Sequence, residues 1–292
     1  MNRSGEGNQF IGRDLMIASR AALLDALEAL EAHRDAVIVI GAQAIYLRTK
    51  SSLVALAEAT KDSDLAIDPR GLEENPKVEE AMTRARFYPN PISGNPGEWM
   101  SPAGVPVDLM VPEAVAGPGG SSARGARIPP HSRRATRRAV GLEAALIDND
   151  KVQIAALDRG DTRVFEARVA GVAALLVAKL HKIGERAELD RRRLIDKDAH
   201  DVYRLLVDSP TAELSVKLEE LLANDLSRDV TIAAIDYLRE LFAAGPDGLG
   251  AVMAGRAEEG VGDPAFVAQA VALLATDLVA SVDALRSPDR DA

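Results

Sequence analysis

Residues 59–68 read Ala-Thr-Lys-Asp-Ser-Asp-Leu-Ala-Ile-Asp and place three carboxylates in an otherwise largely apolar segment. Side chains alternate along a β-strand, so Asp62, Asp64 and Asp68 would share one face. Like charges this close repel each other, and the pattern therefore predicts a compensating partner. Asp68 directly precedes Pro69 and is expected to be a turn residue. The Asp62-Ser63-Asp64 pair is thus the candidate site.

Composition limits the chemistry that this site can support. The chain has 292 residues, 47% of them hydrophobic, which is enough for a proper core. The absence of cysteine excludes disulfides, thiolate zinc sites and cysteine nucleophiles. With only four histidines, a metal site would consist mostly of carboxylates, which favours magnesium over zinc. The net charge of -10 argues against nonspecific coating of nucleic acid, although a local basic patch could hold an acidic substrate.

The sequence also allows a prediction of where in the cell the protein is located. We expect no run of about 18 apolar residues that could span a bilayer, and hence no membrane partner. The first nine residues are polar and do not resemble a secretory signal. A cytoplasmic protein is therefore predicted.

The order of elements around the aspartate pair is specific. Leucines and alanines at three- and four-residue spacing predict a long amphipathic helix over residues 13–36. The segment Val-Ile-Val-Ile at 37–40 is typical of a short buried strand, and a helix restarts directly from Gly41. A second strand follows at the aspartate pair, and a later strand at 105–112 presents Asp108.

The second half of the chain has a different pattern. Residues 140–170 contain short strand-like runs, Ala-Leu-Ile-Asp among them, whereas the chain from Gly171 onward is almost wholly helical. An α+β fold is predicted, with a small mixed sheet in an N-terminal domain at 1–170 and a helical bundle at 171–292.

A basic segment lies between these regions. Residues 117–139 contain six arginines and no acidic residue, with glycines and prolines that favour an irregular loop. A solvated, disordered linker is one interpretation. The other is that Arg133, Arg134 and Arg137 bind the phosphates of an RNA substrate, by shape and charge rather than stacking, because only 3% of residues are aromatic.

The carboxylates and the glycine suggest a common chemistry. Asp62, Asp64 and Asp108, brought together from adjacent strands, could hold a divalent metal that neutralises charge during nucleotidyl transfer. A helix that begins at Gly41 would offer backbone N–H groups to a triphosphate. The alternative is that two aspartates at this spacing are a solvated strand end, which is common.

This order resembles the polymerase-beta-type nucleotidyltransferase fold, in which a Gly-Gly or Gly-Ser helix start precedes an Asp-x-Asp pair and a third aspartate. Residues 178–206, from Ala-Lys-Leu-His-Lys to Tyr-Arg-Leu-Leu, are similar to the AbiEii and MenT type toxin nucleotidyltransferases. In that group a helix lysine is followed by a Lys-Asp pair and an Asp before an aromatic residue. Ala42 departs from the pattern, since Gly or Ser is usual there.

The resemblance implies roles for individual residues. It makes Asp62 and Asp64 metal ligands with Asp108 as a third, and places Gly41 and Ala42 in the nucleotide-binding turn. The later motifs are Lys179, Lys182, Asp198 and Asp201. Lys179 would contact the triphosphate, and Asp201 would orient it or a catalytic water or hydroxyl. From the residues alone, lysines and aspartates of neighbouring helices could instead pair with each other.

The resemblance further implies a magnesium-dependent toxin of a toxin–antitoxin system. Its substrates would be a nucleoside triphosphate, with CTP a candidate, and the 3′ end of a tRNA, whose extension blocks aminoacylation. The partner would be an antitoxin encoded nearby. Two alternatives stay open: a small molecule or protein hydroxyl as acceptor, and a non-catalytic binding protein with the same fold.

Overall fold

A computed structural model describes residues 4–49, 62–119 and 123–286, with side chains from residue 14 onward. Residues 50–61 lie outside the described residues; they include the first three positions of the quoted stretch and most of the linker before it. The aspartate pair and the strands beside it fall within the described part.

The described residues form a mixed sheet in the N-terminal half and helices in the C-terminal half. The strands are β1 (Val37–Ile40), β2 (Ser63–Ile67), β3 (Tyr88–Pro89), β4 (Glu98–Met100), β5 (Pro106–Pro112), β6 (Arg137–Ala139), β7 (Asn149–Ala155) and β8 (Val164–Ala170). The helices are α1 (Ser4–Ala29), α2 (Gly41–Arg48), α3 (Val78–Arg84), α4 (Val172–Leu189), α5 (Asp196–Val207), α6 (Thr211–Ala223), α7 (Arg228–Leu241), α8 (Leu249–Arg256) and α9 (Pro264–Arg286). The predicted α+β class is confirmed.

The strand order places the aspartate pair near the middle of the sheet. The order is β3-β4-β5-β2-β1-β8-β7, and β6 pairs with β5 beyond the end of β4. β2 runs antiparallel to β1 and parallel to β5. Neither partner is adjacent to β2 in a tight hairpin, so these pairings depend on long connections. The candidate strand is therefore paired on both sides.

Burial along β2 follows the predicted alternation only in part. Ser63, Leu65 and Ile67 are fully buried, as the pattern predicts for the inner face. Ala66 is also fully buried, so the opposite face of the strand is covered at that position. Open carboxylate positions are thus confined to the start of the strand.

One local prediction was wrong, and another holds only in part. The run Ala-Leu-Ile-Asp at 145–148 was expected to be a strand, but residues Glu143–Leu146 form a 3-10 helix. The arginine-rich segment is irregular over most of its described length, as expected, but its end forms β6, which pairs in parallel with β5. Pairing to a distant strand is a tertiary effect that local composition does not report.

The described residues divide into two compact units. The first contains residues 4–47 and 62–170, and the second contains residues 48–49 and 171–286. The first unit holds the sheet with α1 and α3. The second packs α4 on α5 and α7, α5 on α8, and α9 on α6 and α8.

Helix α9 corrects one expectation from the sequence. By length and composition it could cross a membrane, with a mean hydropathy of 1.8 over its most apolar window, so the expectation of no such segment was wrong. Of that window, 44% is buried inside the second unit. Helices in the core of a globular domain have the same composition.

Candidate functional site

The turn between β1 and α2 lies directly against the second aspartate. Gly41 follows the last residue of β1, and Ile40 pairs with Asp64 across the antiparallel ladder. Gly41 has a φ of 65°, a left-handed conformation that glycine adopts without strain. A Cβ atom at this position would overlap the Asp64 carboxylate. The glycine is therefore required both by the backbone and by the close approach of Asp64.

Three carboxylates form a row across adjacent strands of the sheet. Asp64 on β2 lies opposite Asp108 on β5, and Asp108 lies opposite Glu98 on β4. Residues directly opposite each other in a sheet point to the same face, and like charges in such pairs are destabilising. The repulsion expected from the sequence is therefore present between neighbouring strands.

Asp108 carries the clearest sign of this repulsion. Burial and, next, the charge of Asp64 together raise the pKa of Asp108 to about 7, against the opposing effect of Arg137. The Arg137 Nη2 atom donates to Asp108 Oδ2 at 2.7 Å, and its Nη1 atom lies 4.0 Å from Glu98 Oε1. Arg137 therefore partly compensates the charge of this row.

The two remaining aspartates of the stretch behave differently from Asp64. Asp62 precedes β2 and is exposed. Asp68 caps the 3-10 helix Pro69–Gly71: its Oδ1 atom accepts the Arg70 backbone N–H at 3.0 Å, and both oxygens bind the Arg70 guanidinium. The prediction that Asp68 is a turn residue is confirmed.

The side chains available as ligands fit magnesium, because they are carboxylates and magnesium prefers oxygen ligands. The carboxylates of Asp64 and Asp108 lie opposite each other and repel. Within the described residues, however, no three acidic or histidine side chains come together as a complete metal site. Arg137 lies on Asp108, where the third ligand was expected. The residues that would hold a metal ion are therefore Asp64 on β2 and Asp62, which precedes the strand.

The arginine-rich segment is tied to the sheet over most of its described length. Arg138 binds the Glu113 carboxylate through Nε and Nη2 at 2.9 and 2.8 Å, and Arg137 binds Asp108. The segment has no acidic residue of its own, and the acidic partners of these two arginines lie on β5 and in the turn after it. The disordered-linker interpretation is wrong for the described residues of this segment.

Arg133 and Arg134 are placed differently from Arg137. Both are exposed, and they line a shallow open depression together with Pro96, Ala123, Arg124 and Gly125. Arg124 Nη1 donates to the Asn95 side chain at 2.8 Å, and Arg134 Nη2 donates to the Gly94 carbonyl at 3.2 Å. Of the three arginines predicted to bind substrate, two therefore form a basic surface and one belongs to the carboxylate row.

The later motif forms a buried ion cluster in the second unit. Lys179 Nζ lies 2.8 Å from Asp198 Oδ1 and 2.8 Å from Asp201 Oδ2, and its side chain is 9% exposed. Burial acts to lower the pKa of Lys179, but the charges of Asp198 and Asp201 outweigh it and raise the pKa well above the usual value. The pairing of lysine and aspartates on neighbouring helices is thus present.

Further cations surround these carboxylates. Lys182 and Arg186 bind Asp198 at 2.9 and 3.1 Å, and Lys197 binds Asp201 at 3.2 Å. Lys182 is the most exposed of them, at 42%. Burial acts to raise the pKa of Asp198, but Lys179 and Lys182 hold it well below its usual range. Four cations thus bind these two carboxylates.

Position 200 has a partner that the sequence does not indicate. His200 Nε2 lies 2.5 Å from Glu258 Oε1, and both side chains are buried. The pair joins α5 to the turn after α8, a contact across 58 residues. This buried contact favours a structural role for His200.

The structure thus brings Gly41, Asp64 and Asp108 together in the first unit, with Ala42 buried behind the turn. The sequence did not predict that Glu98 and Arg137 belong to this site. Both residues reach it because β4 and β6 pair with β5, and local sequence patterns do not reveal which strands pair.

Comparisons with known proteins gave two structural matches. One is an antigenic nucleotidyltransferase-like protein from Paracoccidioides brasiliensis, with a TM-score of 0.37 and 15% identity over 76% of this chain and 92% of that chain. The other is a candidate nucleotidyltransferase from H. pylori, with a TM-score of 0.33 and 9% identity over 93% of this chain and 98% of that chain. No protein-family model and no curated protein matches the chain.

Proposed function

We propose that the protein is a nucleotidyltransferase whose site is the start of β2. The observation that carries this proposal is the contact of Gly41 with Asp64, with Asp108 opposite Asp64 on the neighbouring strand. A strand, a glycine-initiated helix and an aspartate pair in this order are the arrangement that the resemblance to the polymerase-beta type implies. A solvated strand end would not require a glycine packed on its carboxylate.

The residues of the site have distinct parts in this proposal. The turn at Gly41 directs the first N–H groups of α2 toward anionic oxygens, because the start of a helix is positive. Asp62 and Asp64 would hold magnesium, which when bound neutralises charge on the phosphates. Arg137 keeps the Asp108 carboxylate oriented and lessens the repulsion across the row.

The motif of the second unit is assigned by resemblance. Lys179 lies buried between two carboxylates, so Lys182 is the cation of this motif that is best exposed to a triphosphate. Asp198 and Asp201 would then position the lysines. Binding of a triphosphate to variants at Lys182 tests this assignment separately from the fold.

We propose RNA as the acceptor. The support is the depression lined by Arg124, Arg133 and Arg134, whose side chains are exposed on a protein that is otherwise acidic. Phosphate contacts of this kind position a nucleic acid without reading its bases. By resemblance, the acceptor would be the 3′ end of a tRNA and the protein the toxin of a toxin–antitoxin pair.

The experiment that tests the proposal identifies the labelled product. The protein is incubated with magnesium and each of the four α-labelled nucleoside triphosphates in turn, CTP included, together with total tRNA. An aminoglycoside and the protein alone serve as parallel acceptors. Label on the 3′ end of tRNA is expected, with pyrophosphate released in equal amount. Label on the aminoglycoside or on the protein would replace tRNA as the proposed acceptor. Absence of label on every acceptor would contradict nucleotidyl transfer.

One observation favours a second candidate, a nucleotide-binding protein without transfer activity. Arg137 lies on Asp108, and the described residues contain no complete three-carboxylate metal site. In this case the triphosphate would bind at the turn and remain intact. Equilibrium binding of a non-hydrolysable triphosphate, combined with no pyrophosphate release from the natural one, would identify this function.

A further inference from the structure

A buried chain of polar side chains connects α1 and α2 to the residue before β2. It consists of Arg20, Gln43, Ser19 and the backbone carbonyl of Asp62. Arg20 Nε donates to Gln43 Oε1 at 2.9 Å, Gln43 Nε2 donates to Ser19 Oγ at 2.7 Å, and Ser19 Oγ donates to the Asp62 carbonyl at 3.0 Å. The three side chains are at most 6% exposed. All of these residues belong to the first unit.

The direction of each bond is fixed by the one before it. A guanidinium group can only donate, so the Gln43 oxygen must face Arg20 and its amide N–H groups must face Ser19. The Ser19 hydroxyl accepts from Gln43 and has one hydrogen, which it donates to the Asp62 carbonyl at 3.0 Å; the Ser63 hydroxyl lies farther away, at 3.4 Å. The chain therefore has a single polarity that ends on the backbone of the aspartate pair.

Two additional bonds hold this chain in place. Arg20 Nη1 donates to the Ala155 carbonyl of β7 at 2.9 Å, which fixes the guanidinium against the sheet. Ser63 Oγ donates to the Ser19 carbonyl at 2.9 Å, which returns a bond from β2 to α1. Buried polar groups are stable only when they are hydrogen-bonded, and here each one is used to join two elements.

We infer that Ser19, Gln43 and Arg20 are positioning residues of the site. Gln43 is two residues after Gly41, and Asp62 is two residues before Asp64, so the chain joins the turn of α2 to the start of β2 from behind. It keeps the glycine and the aspartate pair in one relative position. The expected effect on catalysis rests on the proposed function. The effect on the structure around residues 62–67 can be measured without it.

Gln43→Glu is the sharpest probe, because it preserves the shape of the side chain and its contact with Arg20. A glutamate cannot donate to Ser19, so the Ser19 hydroxyl would turn to the new carboxylate and leave the Asp62 carbonyl. Ser19→Ala removes the same bond by deletion. Ser227→Ala is the matched control: Ser227 is a fully buried serine whose hydroxyl donates to the Leu221 carbonyl at 2.7 Å in the second unit.

The test is hydrogen–deuterium exchange of peptides that cover residues 62–67, with thermal unfolding and steady-state kinetics on the same samples. In Gln43→Glu and Ser19→Ala we expect exchange in this segment to rise about tenfold, the effect of losing one hydrogen bond. The melting temperature of Gln43→Glu should stay close to that of the wild type. Ser227→Ala should leave exchange at 62–67 unchanged.

The kinetic result separates this inference from the proposed function. With transfer activity present, kcat should fall about tenfold in both variants while KM for the triphosphate changes little, since the loss concerns positioning. Wild-type exchange at 62–67 in both variants would overturn the inference, whatever the activity. Absence of transfer by the wild type would overturn the proposed function and leave the exchange result to decide the inference.

Discussion

Gly41 and Asp64 are packed against each other so closely that a Cβ atom on Gly41 would overlap the Asp64 carboxylate. This contact explains why the helix after β1 begins with glycine. It joins the positive start of α2 to a carboxylate that itself lies opposite Asp108. The same contact gives the most specific predictions about the site.

Gly41→Ala should abolish nucleotidyl transfer and destabilise the protein. The left-handed backbone alone costs an alanine about 1–2 kcal/mol, and the overlap with Asp64 adds to this cost. Gly94→Ala is the matched control, because Gly94 has a φ of 63° and nothing within 4 Å of an added Cβ atom. Urea unfolding and transfer assays on both variants check the prediction. Equal stability losses, or full activity of Gly41→Ala, would contradict the packing argument.

Lys179→Met should destabilise the second unit by about 3 kcal/mol, because it leaves two buried carboxylates without their shared cation. Lys217→Met removes a lysine whose partner Glu220 is exposed, and should change stability by less than about 0.5 kcal/mol. Chemical unfolding monitored by circular dichroism measures both. A loss at Lys179 no larger than that at Lys217 would show that the buried cluster contributes nothing to stability.

Stability should fall steeply in acid because of the same cluster. The pKa values of Asp198 and Asp201 are held below their usual range when the protein is folded. The unfolded state therefore binds more protons below about pH 4, and the free energy of unfolding decreases as pH falls from there. Urea unfolding between pH 6 and pH 2.5 should show this slope, and Asp198→Asn should flatten it. A wild-type slope in Asp198→Asn would assign acid sensitivity to other groups.

The arginine-lined depression should contribute to RNA binding through charge. Replacing Arg124, Arg133 and Arg134 by glutamine should weaken tRNA binding and lower the salt dependence of the dissociation constant by about 2 to 3 in the log–log slope. Arg127→Gln is the control, since Arg127 is exposed in the same segment but does not line the depression. An unchanged slope in the triple variant would remove this surface from the proposal.

The sequence predicted the elements near the site better than their partners. The strand at 37–40, the helix start at Gly41 and the strand after Asp62 follow local rules of alternation and breaking, and all are present. Three features depend on distant pairing and were missed. Glu98 reaches the carboxylate row only because β4 pairs with β5, Arg137 reaches Asp108 through β6, and Ala66 is buried by tertiary packing.

Local sequence patterns also failed to predict burial in the motif of Lys179, Lys182, Asp198 and Asp201. Lys179, Lys182 and Arg186 lie at three- and four-residue spacing along α4, and all three contact Asp198. The spacing did not reveal how deeply Lys179 and Asp201 are buried, because the depth is set by the neighbouring helices of the second unit. Asp198 and Asp201 are both buried, at 4% and 2% exposed.

The most direct test of the central claim compares Asp64 on β2 with Asp68, which follows the end of the same strand. Asp64→Asn removes the carboxylate that contacts Gly41, while Asp68→Asn changes an aspartate that caps the next turn and binds Arg70. Each variant and the wild type are incubated with labelled triphosphates, magnesium and total tRNA. The proposal predicts labelled RNA with the wild type and Asp68→Asn, and a loss of at least about a hundredfold with Asp64→Asn. Equal labelling by Asp64→Asn and the wild type would contradict it.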